Sequence, residues 1–211
     1  MRVESRVEHP LLPLGFFRRK NFAAPLVATA AANFAYMGGF MLAPRLVQDV
    51  FAYSVTMTAY AMLVRPLVFS VVAPAAGYLA VRVGERLAAV TGTACVVVSM
   101  LLFSLGARGE VIGLVFAGLA LSGFGLGVAS PSLSSSVANA VDSGDLGIAS
   151  ATHSMVSQIG VVAGIQVLTT IEATRSGANG FATAYAAGGA IAVIGVIAAG
   201  FVRSADRRVL A

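Results

Sequence analysis

The chain has 211 residues, of which 58% are hydrophobic and 11% charged, with a formal net charge of +5. Soluble domains carry about 25% charged residues, so a water-soluble globule is excluded: the chain has too little polar surface to cover itself. The basic residues form no stripe with interleaved aromatics, which excludes a nucleic-acid surface, and the single cysteine, Cys95, excludes a disulfide framework.

Met1 to Lys20 is charged and holds no apolar run of signal-peptide length, so residues 1–21 read as a cytoplasmic leading segment. Crossing the hydrocarbon core takes about 20 apolar residues in a helix. Six stretches meet this, at about 22–50, 55–81, 87–107, 111–141, 146–171 and 181–202. The sequence therefore predicts an all-α polytopic membrane domain over 22–202, with a cytoplasmic tail over 203–211.

In the first span, Asn33 and Tyr36 lie three residues apart at mid-depth. They read as cavity-lining residues, with polar contact between helices as the equal alternative. Arg45 and Asp49 are four apart at the outer end and share a helix face, so an interfacial ion pair is expected. The alternative is that Asp49 partners Arg65 in one transport state.

Arg65 is the most informative residue. It lies ten residues into the second span, about 15 Å deep at 1.5 Å per residue. An arginine near the midplane costs about 2.5–3.5 kcal/mol even on the lenient insertion scale, so it must face the bundle interior or a water-filled cavity. It reads as a cavity residue that contacts substrate or a partner carboxylate; a structural ion pair or a snorkelling side chain is the plainer alternative. Pro66 and Pro74 follow it, and the carbonyls they free are tolerable only against protein, polar groups or water.

The short stretch Gly77 to Leu87, GYLAVRVGERL, separates the second and third spans. Gly77 and Gly84 permit close approach and positive φ where the chain reverses. Arg82 and Arg86 are placed at the interface, near phosphate headgroups and helix C-terminal carbonyls. The third span carries Cys95, read as packing rather than as a reactive thiol. Gly123 and Gly127 in the fourth span, and Gly160 and Gly164 in the fifth, form faces of small residues where backbones approach closely. The fifth span is the most polar. Gln158 reads as a cavity residue, and His153 as hydrogen-bonded packing or, less simply, a proton relay.

Lysine and arginine set the direction of insertion. Arg2, Arg6, Arg18, Arg19, Lys20, Arg82, Arg86, Arg203, Arg207 and Arg208 fall on one side, against Arg108 and Arg175 on the other. Both termini are therefore placed in the cytoplasm. The spans divide as three plus three at Gly106 to Glu110. An odd number of spans per unit makes the second unit enter from the opposite side, which is the arithmetic of an inverted repeat.

With the spans placed, the charged turn resembles the G-x-L-a-D-R-x-G-R-[KR] loop of the major facilitator superfamily. Gly77, Leu79, Ala80, Arg82, Gly84 and Arg86 match it. Val81 stands where that loop has aspartate, and Glu85 where it has a basic residue; the aspartate is often absent in the C-terminal copy. MLAPRLVQDVFAYS, LVRPLVFSVVAPAAGYL, GFGLGVASPSLSSSV and SQIGVVAGIQVL occur in the order of the C-terminal helices of the fourteen-span drug/proton antiporters. The resemblance is to that six-helix half alone.

It implies a plasma-membrane transporter that exports a small organic compound in exchange for protons by alternating access. Gly77, Arg82, Gly84 and Arg86 are then the gating loop, and Arg65, Asn33, Tyr36 and Gln158 the cavity. No acidic residue lies at mid-depth in any span. The chain alone is therefore not expected to couple to protons: it is read as a truncated product, as one half of a split pair with an N-terminal half, or as part of a homodimer with a second copy. A truncated gene product is the first reading of the missing half, and a non-transporting scaffold is an alternative function. An intramembrane enzyme built on Ser135, His153 and Asp49 is a further alternative, but no phosphate loop, metal-ligand spacing or paired nucleophile and base supports it. Neither cofactor nor metal is expected.

Overall fold

The computed structural model describes residues 20–202, the side chains of residues 79–83 excepted. The leading segment to Arg19, the tail from Arg203 and the side chain of Arg82 lie outside the described residues. Six helices follow one another: α1 (Lys20–Asp49), α2 (Val55–Val83), α3 (Glu85–Arg108), α4 (Ile112–Ala138), α5 (Leu146–Ala173) and α6 (Ala178–Ala199). One turn of 3-10 helix, Ser143–Asp145, leads into α5. The shortest helix, α6, has 22 residues, about 33 Å at 1.5 Å per residue. All six are long and apolar enough to cross a bilayer. The fold is the expected all-α, multi-pass membrane bundle.

The packing has an internal symmetry. α1 packs most extensively on α5 and α6, α4 on α3 and α2, and α3 also against α6. Exchanging the first three helices for the last three maps this pattern onto itself, as an inverted repeat requires. The paired seams are built alike, from glycines. A Cβ added at Gly160 or Gly164 of α5 would run into the backbone of Ala30 or Phe34 on α1. A Cβ at Gly123 of α4 would stand 2.5 Å from the carbonyl oxygen of Arg65 on α2, and one at Gly127 would stand 3.1 Å from Val72. Lipid supplies no hydrophobic drive between helices, so this closeness is what holds them together.

The core lies between α1, α3 and α6. Phe103 and Tyr185 stack there with ring centroids 4.8 Å apart. The Tyr185 hydroxyl donates to the Gly39 carbonyl at 3.1 Å, and Ser104 to the Ala182 carbonyl at 2.9 Å, so both buried hydroxyls are satisfied. Smaller clusters join the start of α1 to the ends of α4 and α6 and the starts of α3 and α5. The chain therefore enters α1 and leaves α6 at one end of the bundle. α1 is the most buried helix, while α2 and α5 are the least.

Candidate functional site

α2 buries one face only. Thr58, Ala61, Arg65 and Ala76 recur along it at helical spacing and are buried. Arg65 alone among them carries charge, and it is 3% exposed. Gly123 lets α4 approach the Arg65 backbone closely enough to pin this turn of α2. The side chain then crosses to α1. Its Cζ stands 3.2 Å from the centre of the Tyr36 ring and 4.3 Å from that of Phe40. Tyr36 and Phe40 are four residues apart, so one face of α1 presents both rings to the cation. Nη2 donates to the Tyr36 carbonyl at 2.8 Å. Nε is buried and has no hydrogen-bond partner among the described residues.

Arg65 forms no ion pair among the described residues: it is folded into the seam of α1 and α2, against aromatic rings and a main-chain carbonyl. One expectation is corrected. Arg45 does not pair with Asp49. Its guanidinium grips the Glu172 carboxylate at the far end of α5 through Nη1–Oε2 at 2.9 Å and Nη2–Oε1 at 3.3 Å. Glu172 is the deeper partner, its side chain 9% exposed against 54% for Arg45. Asp49, the last residue of α1, is exposed and forms no ion pair among the described residues. The Arg45 side chain spans to the neighbouring helix, where a buried carboxylate gains more from a two-bond fork than an exposed one does.

The remaining predicted residues are dispersed. Tyr36 is buried under the guanidinium. Asn33 is half-buried and donates to the Thr29 carbonyl at 3.0 Å, within α1. Gln158 is exposed on α5, and no recorded contact brings it to Arg65. His153 Nε2 lies 3.2 Å from the Thr29 hydroxyl. Thr29 gives its one proton to the Pro25 carbonyl at 2.8 Å. His153 is therefore the donor, through an Nε2–H tautomer, and the contact ties α5 to α1. An apolar groove of about 430 Å³ runs between α2, α3 and α4, lined by Val68, Leu102, Ala117, Ala120, Leu121 and Phe124. None of the predicted polar residues lines it.

At the charged turn the chain reverses at Gly84 alone, with φ 101°. An L-residue adopts that φ only with strain, so the expectation for Gly84 holds. Gly77 is not part of the reversal. It lies inside α2, opposite Pro131 of α4. Arg86 is exposed. The residue that grips is Glu85, the first of α3, which the sequence reading passed over as a mismatch. Its carboxylate accepts from Ser135 and from Asn139 at 2.9 Å, and the Ser136 hydroxyl at 3.0 Å shares its one proton between it and the Ser132 carbonyl at 2.7 Å; all lie in or just beyond the last turns of α4. A carboxylate at a helix N-terminus also meets the positive end of the helix dipole. Ser135 and Asn139, four residues apart and so on one face of the end of α4, are the signal in the sequence that points to it.

The comparisons with known proteins agree with the helical arrangement. The profile of the Major Facilitator Superfamily matches residues 2–165. The chain is similar to the multidrug resistance protein Stp of Mycobacterium tuberculosis, in both the CDC 1551 / Oshkosh and the ATCC 25618 / H37Rv strains. Identity is 27% over 166 residues, which is 79% of this chain and 31% of Stp. The chain thus aligns with about a third of the length of these relatives. With the matched profile covering well over half of the residues, the chain belongs to the Major Facilitator Superfamily.

Proposed function

We propose that the chain is one six-helix half of a plasma-membrane transporter. With a second six-helix unit it exports small organic compounds in exchange for protons, by alternating access, with both termini in the cytoplasm. The observation that carries this reading is the uneven burial of the bundle. α2 and α5, which the internal symmetry relates, are the two least buried helices. They expose Tyr60, Leu63, Leu67 and Val71 on α2, and Met155, Ile159 and Val162 on α5. In a unit that rocks against another around a central site, such faces are where the second unit packs. The name of the Stp relative supports a drug-like cargo.

The acidic residues between Lys20 and Val202 are Asp49, Glu85, Glu110, Asp142, Asp145 and Glu172, at helix ends or between helices. A carboxylate that carries protons at mid-depth therefore belongs to the second unit. That unit is then an N-terminal half; a second copy of this chain would complete a twelve-helix bundle but brings no acid at mid-depth.

Flux in proteoliposomes tests the reading. Export of a hydrophobic dye, driven by an imposed pH gradient, is expected when the chain is co-reconstituted with a six-span N-terminal unit, and is not expected from the chain alone. No flux in either preparation would contradict transport and favour a scaffold.

A further inference from the structure

The least compensated group in the bundle is Arg65. A guanidinium has five N–H donors in one plane and two faces above and below it. Here the guanidinium carbon lies over the rings of Tyr36 and Phe40. Among the described residues the edge makes one hydrogen bond, from Nη2 to the Tyr36 carbonyl. The Nε–H, buried, has no acceptor among the described residues. No carboxylate is available at this depth, because every acidic residue between Lys20 and Val202 stands at a helix end or between helices. A charge held in low dielectric without a counter-ion is costly. An oxyanion placed in the plane of the guanidinium satisfies Nε and its neighbouring nitrogen together, as a two-bond fork.

The surroundings say what kind of anion. Beside Tyr36 the seam is closed by Met37 and Phe69, both half-buried, together with Leu126 of α4. These are flexible or aromatic apolar side chains that can yield to an apolar body. The positive charge and the lack of mid-depth acid oppose a cation.

We propose that Arg65 is the charge-recognition element of an organic-anion subsite on the α1–α2 seam, taking the carboxylate or sulfonate of a ligand with an apolar, aromatic body. The subsite rests on the transporter reading, whose cargo class it narrows, but it is tested by binding and not by flux.

The probes are naphthalene-2-carboxylate and its uncharged analogue, 2-naphthamide. Each is measured by equilibrium dialysis against the purified chain in lipid nanodiscs, with protein-free discs subtracted. The wild-type chain is expected to bind the carboxylate at least tenfold more tightly than the amide. Arg65→Gln should abolish that preference while leaving amide affinity within twofold. Arg65→Lys should restore part of it, since charge returns without the fork. Circular dichroism and elution volume check that both variants are folded. Equal preference in wild type and Arg65→Gln, or no saturable binding of either probe, would overturn the subsite. Dye flux with a second unit would then still stand, so a failed subsite and a failed transporter are told apart.

Discussion

At the scale of single residues, Arg65 is a buried charge with no ion-pair partner among the described residues, and Glu85 is a half-buried one held by neighbouring side-chain donors. Arg65 is stabilised by two ring faces and a carbonyl, against the cost of desolvation. Cation–π contacts contribute about 0.5–2 kcal/mol, less than the several kcal/mol that an unpaired buried charge costs. Arg65→Met, similar in length and uncharged, is therefore expected to raise the melting temperature in a fixed detergent by several degrees. An unchanged or lower value would mean that the cation is structural. Glu85 is the opposite case, with the Ser135 hydroxyl and the Asn139 amide donating to it and Ser136 sharing a proton with it. Glu85→Ala removes the acceptor shared by the exposed Ser135 and Asn139, and a loss of about 0.5–1.5 kcal/mol is expected, read as a fall in melting temperature. Arg86→Ala, at an exposed neighbouring position, should leave it nearly unchanged.

At the scale of elements, the helix–helix seams follow from where glycine falls. Gly164 meets the Phe34 backbone, whereas Gly113 on α4 has nothing within 4 Å of an added Cβ. Gly164→Ala should push α5 off α1 and destabilise by about 1–3 kcal/mol. Gly113→Ala should be neutral, or stabilise by about 0.5–1 kcal/mol through helix propensity. Thermal unfolding of the two variants in one detergent checks the contrast; equal effects would mean that the close approach does not hold the seam.

This is also the scale at which the sequence is most legible. Long apolar runs show six helices, and glycines four apart show which faces meet. A charge ten residues into a span must be buried whatever its neighbours are. Partners across the chain are not legible. Arg45 has Asp49 four residues away, and local spacing favours that pair. Its actual partner, Glu172, is 127 residues distant and becomes available only once α1 and α5 are packed. Glu85 likewise finds its donors 50 to 54 residues on. Arg65 rests on a carbonyl and two ring faces, and main-chain acceptors leave no mark in a sequence. Gln158, polar and mid-span, gave the same signal as Arg65, yet it stays exposed on α5. A glutamine costs less than an arginine when left at the surface of a membrane helix, so its polarity constrains its direction less.

At the scale of the whole molecule, the symmetry that relates α1 to α4, α2 to α5 and α3 to α6 leaves one symmetry-related pair, α2 and α5, least covered. On the proposed function, a second six-helix unit covers α2 and α5 while lipid covers α3 and α6. The most direct measurement places single cysteines, in a Cys95→Ala background, at Leu67 on α2, Ile159 on α5, Leu101 on α3 and Ile194 on α6. All four side chains are exposed in the isolated bundle. Each variant is co-expressed with the second unit and treated in the membrane with a lipid-phase maleimide. The account predicts that positions 101 and 194 react readily and that positions 67 and 159 are at least tenfold slower. Equal labelling of all four would contradict it.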